Sequence, residues 1–309
     1  MNKILILGSE GFTGKYFPDF LKKNNIKSEN YYVDKIPKKL NKRENHYNID
    51  LLKKKETFNF LGDFKPDLIF NFIGLIFSNN LRELFNLNVI TAENLLSSIN
   101  EIKNYSPKVL LIGSSAEYGI VNKSDLPLNE TCKKRPISNY GLSKVFLDKL
   151  AEKYILNSNI RIYRAKPFNM IGPGQSEKLV IGSISLQIEK IRKGLQPNEL
   201  YVGNLDTKRD FIDIRDVVSA YWKIINSDCE GEVFNIGSGK PFKIRTIVEN
   251  FIKFSGLKIK IAQRRELVKK SDPPSIYADI TKIRKNLKWK PEITLEQSIK
   301  DILNFEHLN

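Results

Sequence analysis

The sequence predicts an α/β fold in which a doubly wound parallel sheet is covered by helices on both faces and is followed by a smaller C-terminal lobe. Strand and helix signals alternate from the N-terminus, as in such sheets. The strands are short and fully apolar, which is typical of strands that are buried on both faces. A length of 309 residues suffices for this unit and a second lobe.

The first half of the chain repeats one pattern, a buried strand followed by a helix. Residues 4–7 form an apolar strand that ends at a glycine, and residues 12–23 follow as a helix. The later apolar and helical runs predict strands at 31–33, 67–72, 109–112 and 160–165, and helices at 84–99 and 140–156.

The pattern changes after residue 165, where prolines and glycines between 167 and 174 indicate a loop. The remaining segments predict a helix at 180–193, a strand at 209–214, a helix at 216–225, a strand at 233–236, and helices with short strands over 243–309. Because no linker interrupts the chain, we expect two discontinuous domains. A Rossmann-type nucleotide-binding domain would contain 1–165 and about 209–236, and a smaller lobe about 166–208 and 237–309.

Composition excludes several classes of protein. The two cysteines lie far apart, which argues against a disulfide framework, and two histidines cannot build a histidine-rich metal site, so we predict no metal. No apolar run approaches the roughly 18 residues of a membrane span. The N-terminal apolar run is too short for a signal peptide, so we expect a cytoplasmic protein.

The formal net charge is +16. Nucleic-acid binding is disfavoured because the lysines are spread along the whole chain and form no dense basic tract with aromatic residues. A basic surface would instead favour a substrate that carries a diphosphate, by electrostatic steering.

A glycine-rich turn directly follows the first strand and opens the first helix. Gly8 permits a tight turn, Gly11 lets the backbone approach a pyrophosphate, and Gly14 lets helix and strand pack closely. The free N–H groups of the helix N-terminus, where Phe12 and Thr13 lie, suit phosphates. The GxxGxxG spacing differs from the GxGxxG of many dehydrogenases, and an ordinary turn is the alternative.

Asp34 closes the second predicted strand, about 20 residues beyond the last glycine. A carboxylate there accepts hydrogen bonds from a ribose 2′-OH and repels a 2′-phosphate, so it favours NAD over NADP. The neighbouring Lys35 weakens this preference, and NADP is not excluded. The alternative is an exposed loop acid.

Three polar residues form a catalytic constellation. Tyr140 and Lys144 lie four residues apart on a predicted helix and therefore share a face, although such a pair alone is usually a solvated surface. Ser114 follows an apolar strand, at the edge where open α/β sheets bind ligands. A tyrosine with a pKa near 10 is a poor proton donor at neutral pH. A nearby ammonium lowers that pKa, so we expect Lys144 to activate Tyr140.

These features together resemble the extended short-chain dehydrogenase/reductases, in particular the NAD-dependent epimerase/dehydratase family. The resemblance covers nearly the whole chain and depends on segments 8–14, 50–51, 71–74, Asn88, 114–119, 140–144, 166–169 and 209–211. Within the family the chain is most similar to the reductases that convert GDP-4-keto-6-deoxymannose into GDP-rhamnose. That closer similarity depends on segments 114–119, 167–175, 202–206 and 289–291, of which Gly-Pro-Gly-Gln at 172–175 is the most specific.

The resemblance implies a role for each matching residue. Ser114, Tyr140 and Lys144 would be catalytic. The cofactor would contact the last two of these, the glycine turn, Asp34, Asp50, Leu51, Phe72, Ile73, Gly74 and Asn88. The substrate would contact Ser115, Ala116, Asn169, Val180, Asn204 and Arg209. The first domain would then bind NAD(P), the second lobe would bind a GDP-linked sugar, and the chain would form a homodimer.

Position 116 separates the reactions of the family. By resemblance, sugar 4,6-dehydratases carry an acidic residue there and the epimerase-reductases that make GDP-fucose carry a cysteine. Ala116 transfers no proton, so dehydration and 3,5-epimerisation are disfavoured. Plain C4-ketone reduction, which would supply precursors of cell-surface polysaccharide, needs only the three catalytic residues. A 4-epimerase or 4-dehydrogenase with retained NAD needs no more, and a loop shift that brings in Glu117 stays open.

Several points weaken the closer resemblance. The family often places an arginine near 271–274 to hold the second phosphate, whereas this chain has Asp272 there, with Lys269 and Lys270 nearby. The stretch 71–74 is bulkier than is usual beside the cofactor. Arg209 suits a diphosphate because its charged fork is bidentate, but a surface ion pair with a nearby aspartate is the alternative. A non-catalytic cofactor-binding protein is a further alternative, which the intact catalytic residues oppose.

Overall fold

The computed structural model describes residues 1–35, 44–268 and 273–305. Its strands are β1 (Asn2–Leu7), β2 (Ser28–Asp34), β3 (His46–Asn48), β4 (Leu68–Asn71), β5 (Lys108–Ile112), β6 (Arg161–Pro167), β7 (Asn169–Ile171), β8 (Glu199–Val202), β9 (Lys208–Arg209), β10 (Phe211–Asp213), β11 (Val233–Ile236), β12 (Phe242–Lys243), β13 (Lys260–Gln263) and β14 (Ser275–Ile276). Its helices are α1 (Phe12–Lys23), α2 (Lys54–Phe64), α3 (Leu81–Phe85), α4 (Thr91–Glu101), α5 (Asn139–Asn157), α6 (Val180–Arg192), α7 (Ile214–Ile225), α8 (Ile244–Ser255), α9 (Thr281–Leu287) and α10 (Leu295–Leu303).

Seven of the described strands form one sheet, in the order β11-β6-β5-β4-β1-β2-β3. The pairs from β6 to β3 are parallel. Strand order reverses between β1 and β4, and ligands of open α/β sheets bind beyond the carboxyl ends of the strands at such a point. The predicted Rossmann-type fold class is therefore confirmed.

Both faces of this sheet are covered, which explains its fully apolar strands. Leu5 and Leu7 of β1 face a core shared with α2, α4 and α5. On the other face, Phe17 of α1 contacts Phe70 of β4 at 4.2 Å between ring centroids, and Trp222 of α7 stacks on Phe70 at 6.3 Å. Side chains alternate between the two faces of a strand, so each strand contributes to both cores.

The elements between β2 and β4 were not predicted from the sequence. Strand β3 is short and forms the edge of the sheet, and α2 buries Phe60 and Leu61. The predicted helix at 84–99 begins earlier, at Leu81, and residues Asn86–Ile90 within it form a π-helical turn between α3 and α4. The predicted strand at 209–214 is divided into β9 and β10, and α7 begins at its last residue.

Contacts divide the chain into two units. The first contains Met1–Ile120, Lys133–Pro167 and Val218–Asn235, and the second contains Val121–Cys132, Phe168–Val217 and Ile236–Asn309. Residues 209–217, which the sequence analysis assigned to the first domain, lie in the second unit because β9 and β10 pair with β12, β14 and β7. The core of the second unit lies among α6, α8, α10 and the parallel pair β8 and β13.

None of the helices in the described residues has the length and apolar character required to span a membrane. In the same part of the chain, no cluster of three or more histidine, cysteine, aspartate or glutamate side chains is suited to a metal ion.

Candidate active site

The glycine turn between β1 and α1 is built by close backbone contacts. Gly8 has a φ of +75°, and a Cβ added to it would lie 2.9 Å from the backbone of Phe72 and Ile73. A Cβ on Gly14 would lie 2.3 Å from the Gly8 carbonyl oxygen. No side chain in the described residues caps the first turn of α1, which begins after Gly11. The turn therefore presents free N–H groups at a helix N-terminus and suits the diphosphate of a dinucleotide.

Asp34 lies beside this turn at the carboxyl end of β2. Its carboxylate accepts hydrogen bonds from the Glu10 N–H at 2.9 Å and from the Lys35 N–H at 2.8 Å. The Lys35 ammonium lies 3.0 Å from Asp50. Burial raises the pKa of Asp50, but Lys35 and the Leu52 N–H outweigh it and leave that pKa below its usual value. The predicted contacts of Asp34 and Asp50 with a ribose and an adenine stay predictions.

Asn88 lies in the π-helical turn and connects three segments of the first unit. Its amide accepts from the Leu75 N–H at 2.7 Å and donates to the Leu75 carbonyl at 2.9 Å and to the Ser143 hydroxyl at 2.8 Å. A Cβ on Gly74 would lie 3.0 Å from Asn88 Oδ1 and 3.4 Å from Lys144 Nζ. Asn88 thus fixes the loop after β4 against α5, next to Lys144.

The three predicted catalytic side chains converge in the first unit. Ser114 begins the turn after β5, and its Oγ accepts from the Ala116 N–H at 3.1 Å. Tyr140 lies in the first turn of α5 and forms a hydrogen bond with Ser114. Lys144 Nζ donates to the Ile112 carbonyl at 2.9 Å and lies 5.8 Å from the centre of the Tyr140 ring. The arrangement places a hydroxyl, a phenol and an ammonium together at the carboxyl end of β5.

The ionisation of these groups differs from the prediction in one respect. Desolvation raises the pKa of Tyr140 to about 12, although the hydrogen bond with Ser114 opposes the shift. The prediction that this pKa is lowered is therefore wrong, because burial has the largest effect on it and raises it. Burial lowers the pKa of Lys144 to about 8. The Glu117 carboxylate acts in the opposite direction, but its effect is smaller. Lys144 is thus still largely protonated at neutral pH.

The Glu117 carboxylate is held by other groups next to the catalytic side chains. It is fully buried; one carboxylate oxygen accepts from the Ser114 N–H at 2.9 Å, and the other lies 3.1 Å from Lys166 Nζ. The backbone of Ala116 packs against α5, where a Cβ on Gly141 would lie 2.4 Å from the Ala116 carbonyl oxygen. The structure therefore does not bring Glu117 into the position that the loop-shift alternative requires.

The predicted substrate residues of the second unit are held largely by backbone groups. Asn169 donates to the Asp210 carbonyl at 2.8 Å, and Arg209 donates to the Pro273 carbonyl at 2.8 Å. Asn204 accepts from the Asp206 N–H at 2.9 Å, and Val180 begins α6 with an exposed side chain. Their roles in substrate binding stay predictions. The departure around Asp272, with Lys269 and Lys270, lies outside the described residues.

The two aspartates that could have paired with Arg209 have other partners. The Asp210 carboxylate accepts from the backbone N–H groups of Ser238, Gly239 and Ala278 and from the Ser238 hydroxyl. Asp213 binds Arg215 at 2.7 Å and the Ser298 hydroxyl at 2.6 Å.

Sequence reasoning missed two features of the first unit. Tyr221 of α7 is fully buried, stacks on Phe72, and has no hydrogen-bond partner for its hydroxyl among the described residues. Desolvation raises its pKa, and the charge of Tyr140 adds to this. The second feature is a cluster of buried charges around Lys166. A signal existed only for Asp148, which follows Tyr140 and Lys144 at the same four-residue spacing.

Comparison with known proteins identifies the family. The sequence matches the family described as GDP-mannose 4,6 dehydratase over residues 5–302. GDP-6-deoxy-D-mannose reductase of Pseudomonas aeruginosa is 32% identical over 251 residues, which are 79% of this chain and 82% of the relative. GDP-6-deoxy-D-talose 4-dehydrogenase of Aggregatibacter actinomycetemcomitans is 27% identical over 91% of this chain and 90% of the relative.

A solved structure described as RMD from Pseudomonas aeruginosa complexed with NADPH superposes with a TM-score of 0.85 and 29% identity, over 98% of each chain. The fold, the glycine turn and the convergent serine, tyrosine and lysine agree with this match. The chain therefore belongs to the GDP-mannose 4,6 dehydratase family, whose members are NAD(P)-dependent enzymes of the short-chain dehydrogenase/reductase type that act on nucleotide sugars.

Proposed function

We propose that this enzyme reduces the C4 ketone of a GDP-4-keto-6-deoxyhexose to an alcohol and yields a product of the GDP-rhamnose type for cell-surface polysaccharide. The observation that carries the proposal is the convergence of Ser114, Tyr140 and Lys144 beside an alanine at position 116. The 32% identity to a GDP-6-deoxy-D-mannose reductase supports the same substrate class.

The side chains divide the reaction between them. Bound NAD(P)H supplies the hydride that C4 receives. Ser114 hydrogen-bonds the keto oxygen, and Tyr140 gives its proton to that oxygen as the carbonyl becomes an alcohol. A pKa of about 12 means that Tyr140 is protonated at neutral pH before the hydride arrives, so a proton is present for transfer. The Lys144 ammonium stabilises the phenolate that remains, which then regains a proton from solvent.

Dehydration and 3,5-epimerisation both need a second group that removes a proton from carbon. Ala116 has none, and the Glu117 carboxylate is occupied by the Ser114 N–H and Lys166. Positions 116 and 117 therefore offer no such group, whereas the three residues that a plain ketone reduction needs are present.

The second unit supplies the proposed contacts to the nucleotide sugar. Arg209 offers a permanently charged guanidinium to the diphosphate, and Asn169 offers an amide to the sugar or phosphate. Val180 and Asn204 complete the proposed contacts of this unit, and Ser115 and Ala116 of the first unit are the other two residues proposed to contact the substrate. The net charge of +16 favours the approach of such an anion.

We propose NAD as the cofactor, with NADP as the alternative. Asp34 at the end of β2 favours a ribose 2′-OH over a 2′-phosphate. The structural relative from Pseudomonas aeruginosa is complexed with NADPH. Comparing kcat/KM for NADH and NADPH decides between them. Asp34→Ala should reduce the preference for NADH if the carboxylate accepts a hydrogen bond from the ribose 2′-OH.

A direct assay tests the function. Purified protein is mixed with GDP-4-keto-6-deoxymannose and either reduced cofactor, and absorbance at 340 nm is followed. We expect cofactor oxidation, and we expect Tyr140→Phe to lower kcat by about 10²–10⁴-fold while cofactor binding persists. Absence of oxidation with the wild-type protein would remove this substrate from consideration.

A 4-dehydrogenase or 4-epimerase is the second candidate. The same three residues serve it, and GDP-6-deoxy-D-talose 4-dehydrogenase is 27% identical over 91% of this chain. An epimerase keeps its cofactor through the cycle, so NAD or NADH would accompany the protein purified without added cofactor. A reductase releases cofactor at each turnover and would be isolated largely without it.

We also propose a homodimer in the cytoplasm. Leu81, Ile90 and Phe146 of the first unit expose large apolar side chains on α3, the π-helical turn and α5, and Phe146 also contacts Phe85 at 4.8 Å. An exposed apolar group of this kind is typical of a protein interface. Light scattering should find a dimer, and Phe146→Glu should shift it toward the monomer.

A further inference from the structure

Five charged side chains are packed together inside the first unit, and the proposed reaction uses none of them. Glu117, Asp148 and Lys166 are at most 5% exposed. Lys134 and Arg164 lie at the edge of the group. We refer to these five residues as the buried ion cluster. Buried charges are costly unless they are paired, so the pairs decide what the cluster can do.

The ion pairs of the cluster form one continuous series. Lys166 Nζ lies 3.1 Å from Glu117 Oε2 and 3.3 Å from Asp148 Oδ2. Arg164 binds the other Asp148 oxygen at 3.0 Å, and Lys134 binds Asp148 as well. Lys166 therefore connects a carboxylate on the turn after β5 with a carboxylate on α5.

The two carboxylates at the ends of this series of ion pairs both lie next to proposed catalytic residues or on the same element. Glu117 accepts the Ser114 N–H at 2.9 Å, so it holds the residue whose hydroxyl would orient the ketone. Tyr140, Lys144 and Asp148 follow one another at intervals of four residues on α5 and therefore share one face of that helix. The cluster thus connects the two elements that carry the trio.

We propose that Glu117, Lys166 and Asp148 are positioning residues that fix the Ser114 turn to the helix of Tyr140 and Lys144 and place one carboxylate charge beside the trio. This inference rests on the proposed function, because it gives the trio its catalytic role. A hydrophobic group at position 117 would fill the same space without either effect.

Burial raises the pKa of Glu117 itself, against the Lys166 ammonium, which lowers it. In its ionised form the Glu117 carboxylate acts on both titrating members of the trio. It raises the pKa of Lys144 and that of Tyr140. The other groups that face them are the Ser114 hydroxyl, which lowers the pKa of Tyr140, and the Tyr221 hydroxyl of α7. A neutral residue at position 117 should therefore lower the pKa of Lys144 below its value of about 8.

The first experiment needs no substrate. Protein that carries ¹³Cζ-tyrosine is titrated from pH 6 to 10 by NMR, and Tyr140→Phe assigns the Tyr140 signal among the 12 tyrosines. The Tyr140 signal reports the nearby ionisation of Lys144. We expect Glu117→Gln, which keeps the oxygen that accepts the Ser114 N–H, to move this step down by about 0.5–1 pH unit. An unchanged step in a folded variant overturns the charge effect.

The second experiment measures positioning through kcat and KM. Lys166→Met should lower kcat at least about tenfold and leave KM for cofactor within about twofold, because misplacement of the trio affects chemistry more than binding. Lys166→Arg keeps the charge and should recover most of kcat. Lys149→Met is the control, since Lys149 and Glu152 form an exposed ion pair on the surface of α5.

The outcomes separate the inference from the proposed function. If Lys166→Met does not fold, Glu117→Gln and Lys166→Arg still decide the matter through the titration and kcat. A loss of thermal stability with an unchanged kcat and an unchanged Lys144 step means that the cluster is only structural, which overturns the inference. If the wild-type protein does not reduce the ketone but the Lys144 step moves in Glu117→Gln, the substrate is wrong and the charge effect stands.

Discussion

Two buried aspartates, one chosen from each unit, are held in different ways. In the first unit, Asp148 is surrounded by the cations Lys134, Arg164 and Lys166. In the second unit, Asp210 is surrounded by backbone N–H groups and one hydroxyl. Cations neutralise a carboxylate, whereas backbone donors only solvate it. The comparison shows that the first arrangement depends on charge and the second on the path of the main chain.

The pKa values follow this difference. Burial raises the pKa of both groups, but the cations outweigh it for Asp148 and leave its pKa below 3.8. For Asp210, burial outweighs the hydrogen bonds, and its pKa is raised above 3.8. Protonation therefore disfavours the folded state at Asp148 and favours it at Asp210.

The largest expected effect comes from removing the charge of Asp148. Asp148→Asn removes the carboxylate that all three cations share and leaves Glu117 as the other buried carboxylate of the cluster. We expect a loss of about 3–5 kcal/mol in the free energy of unfolding, measured by urea titration. In the wild type this contribution is present above pH 3.8 and is lost as pH falls through the lower folded-state pKa. The variant should lack that acid-dependent part of the stability curve, and a wild-type-like curve would contradict the comparison.

Asp210→Asn should cost somewhat less. The amide nitrogen would oppose the N–H groups of Gly239 and Ala278, and we expect a total loss of about 2–4 kcal/mol, because an unsatisfied buried donor costs about 1–3 kcal/mol. Because the pKa of Asp210 is raised, its contribution to stability grows as pH falls toward 3.8, so the variant should lose more stability at pH 4 than at pH 7. Ser238→Ala is the control, since it removes only a hydroxyl and should cost about 1 kcal/mol.

Backbone packing without any charge gives a third case. Gly14→Ala would place a Cβ 2.3 Å from the Gly8 carbonyl, and we expect a loss of about 1–3 kcal/mol together with weaker cofactor binding. Gly62 of α2 is the matched control, because a Cβ there meets nothing within 4 Å. Gly62→Ala should stabilise the protein by about 0.5–1 kcal/mol. Thermal unfolding and cofactor titration measure both effects, and equal responses of the two variants would remove the special role of Gly14.

The smallest effect should come from Tyr221, a buried polar group with no partner among the described residues. Tyr221→Phe removes a hydroxyl that gains nothing from the fold, so we expect stability to be unchanged or to rise by up to about 1 kcal/mol. Urea titration measures this. A loss above about 1 kcal/mol would mean that the hydroxyl has a partner such as ordered water.

Local patterns predicted the fold and the candidate site where the determining residues are close in sequence. The glycine turn, the polar residues after β5 and the pair Tyr140 and Lys144 all belong to short motifs. Strand β3 and α2 were missed because they contain few apolar residues and because charged residues lie next to those few.

Properties that depend on distant partners could not be predicted. Glu117 was considered as a mobile catalytic acid because nothing near it in sequence reveals Lys166, 49 positions further on. The predicted direction of the pKa shift of Tyr140 was wrong, because desolvation depends on all the groups that pack around the ring. A single sequence shows which groups are present, whereas burial decides their charge.

The π-helical turn at Asn86–Ile90 has a consequence for how this segment tolerates change in length. Each residue advances an α-helix by about 100°. The π-helical turn takes up one residue more than an α-helical turn, whereas deleting a residue from the α-helical turn of α3 before it would rotate everything beyond that point by this angle. The amide of Asn88 could not then reach both Leu75 and Ser143. Insertions and deletions between Leu81 and Glu101 should therefore be rarer than substitutions, even at exposed positions.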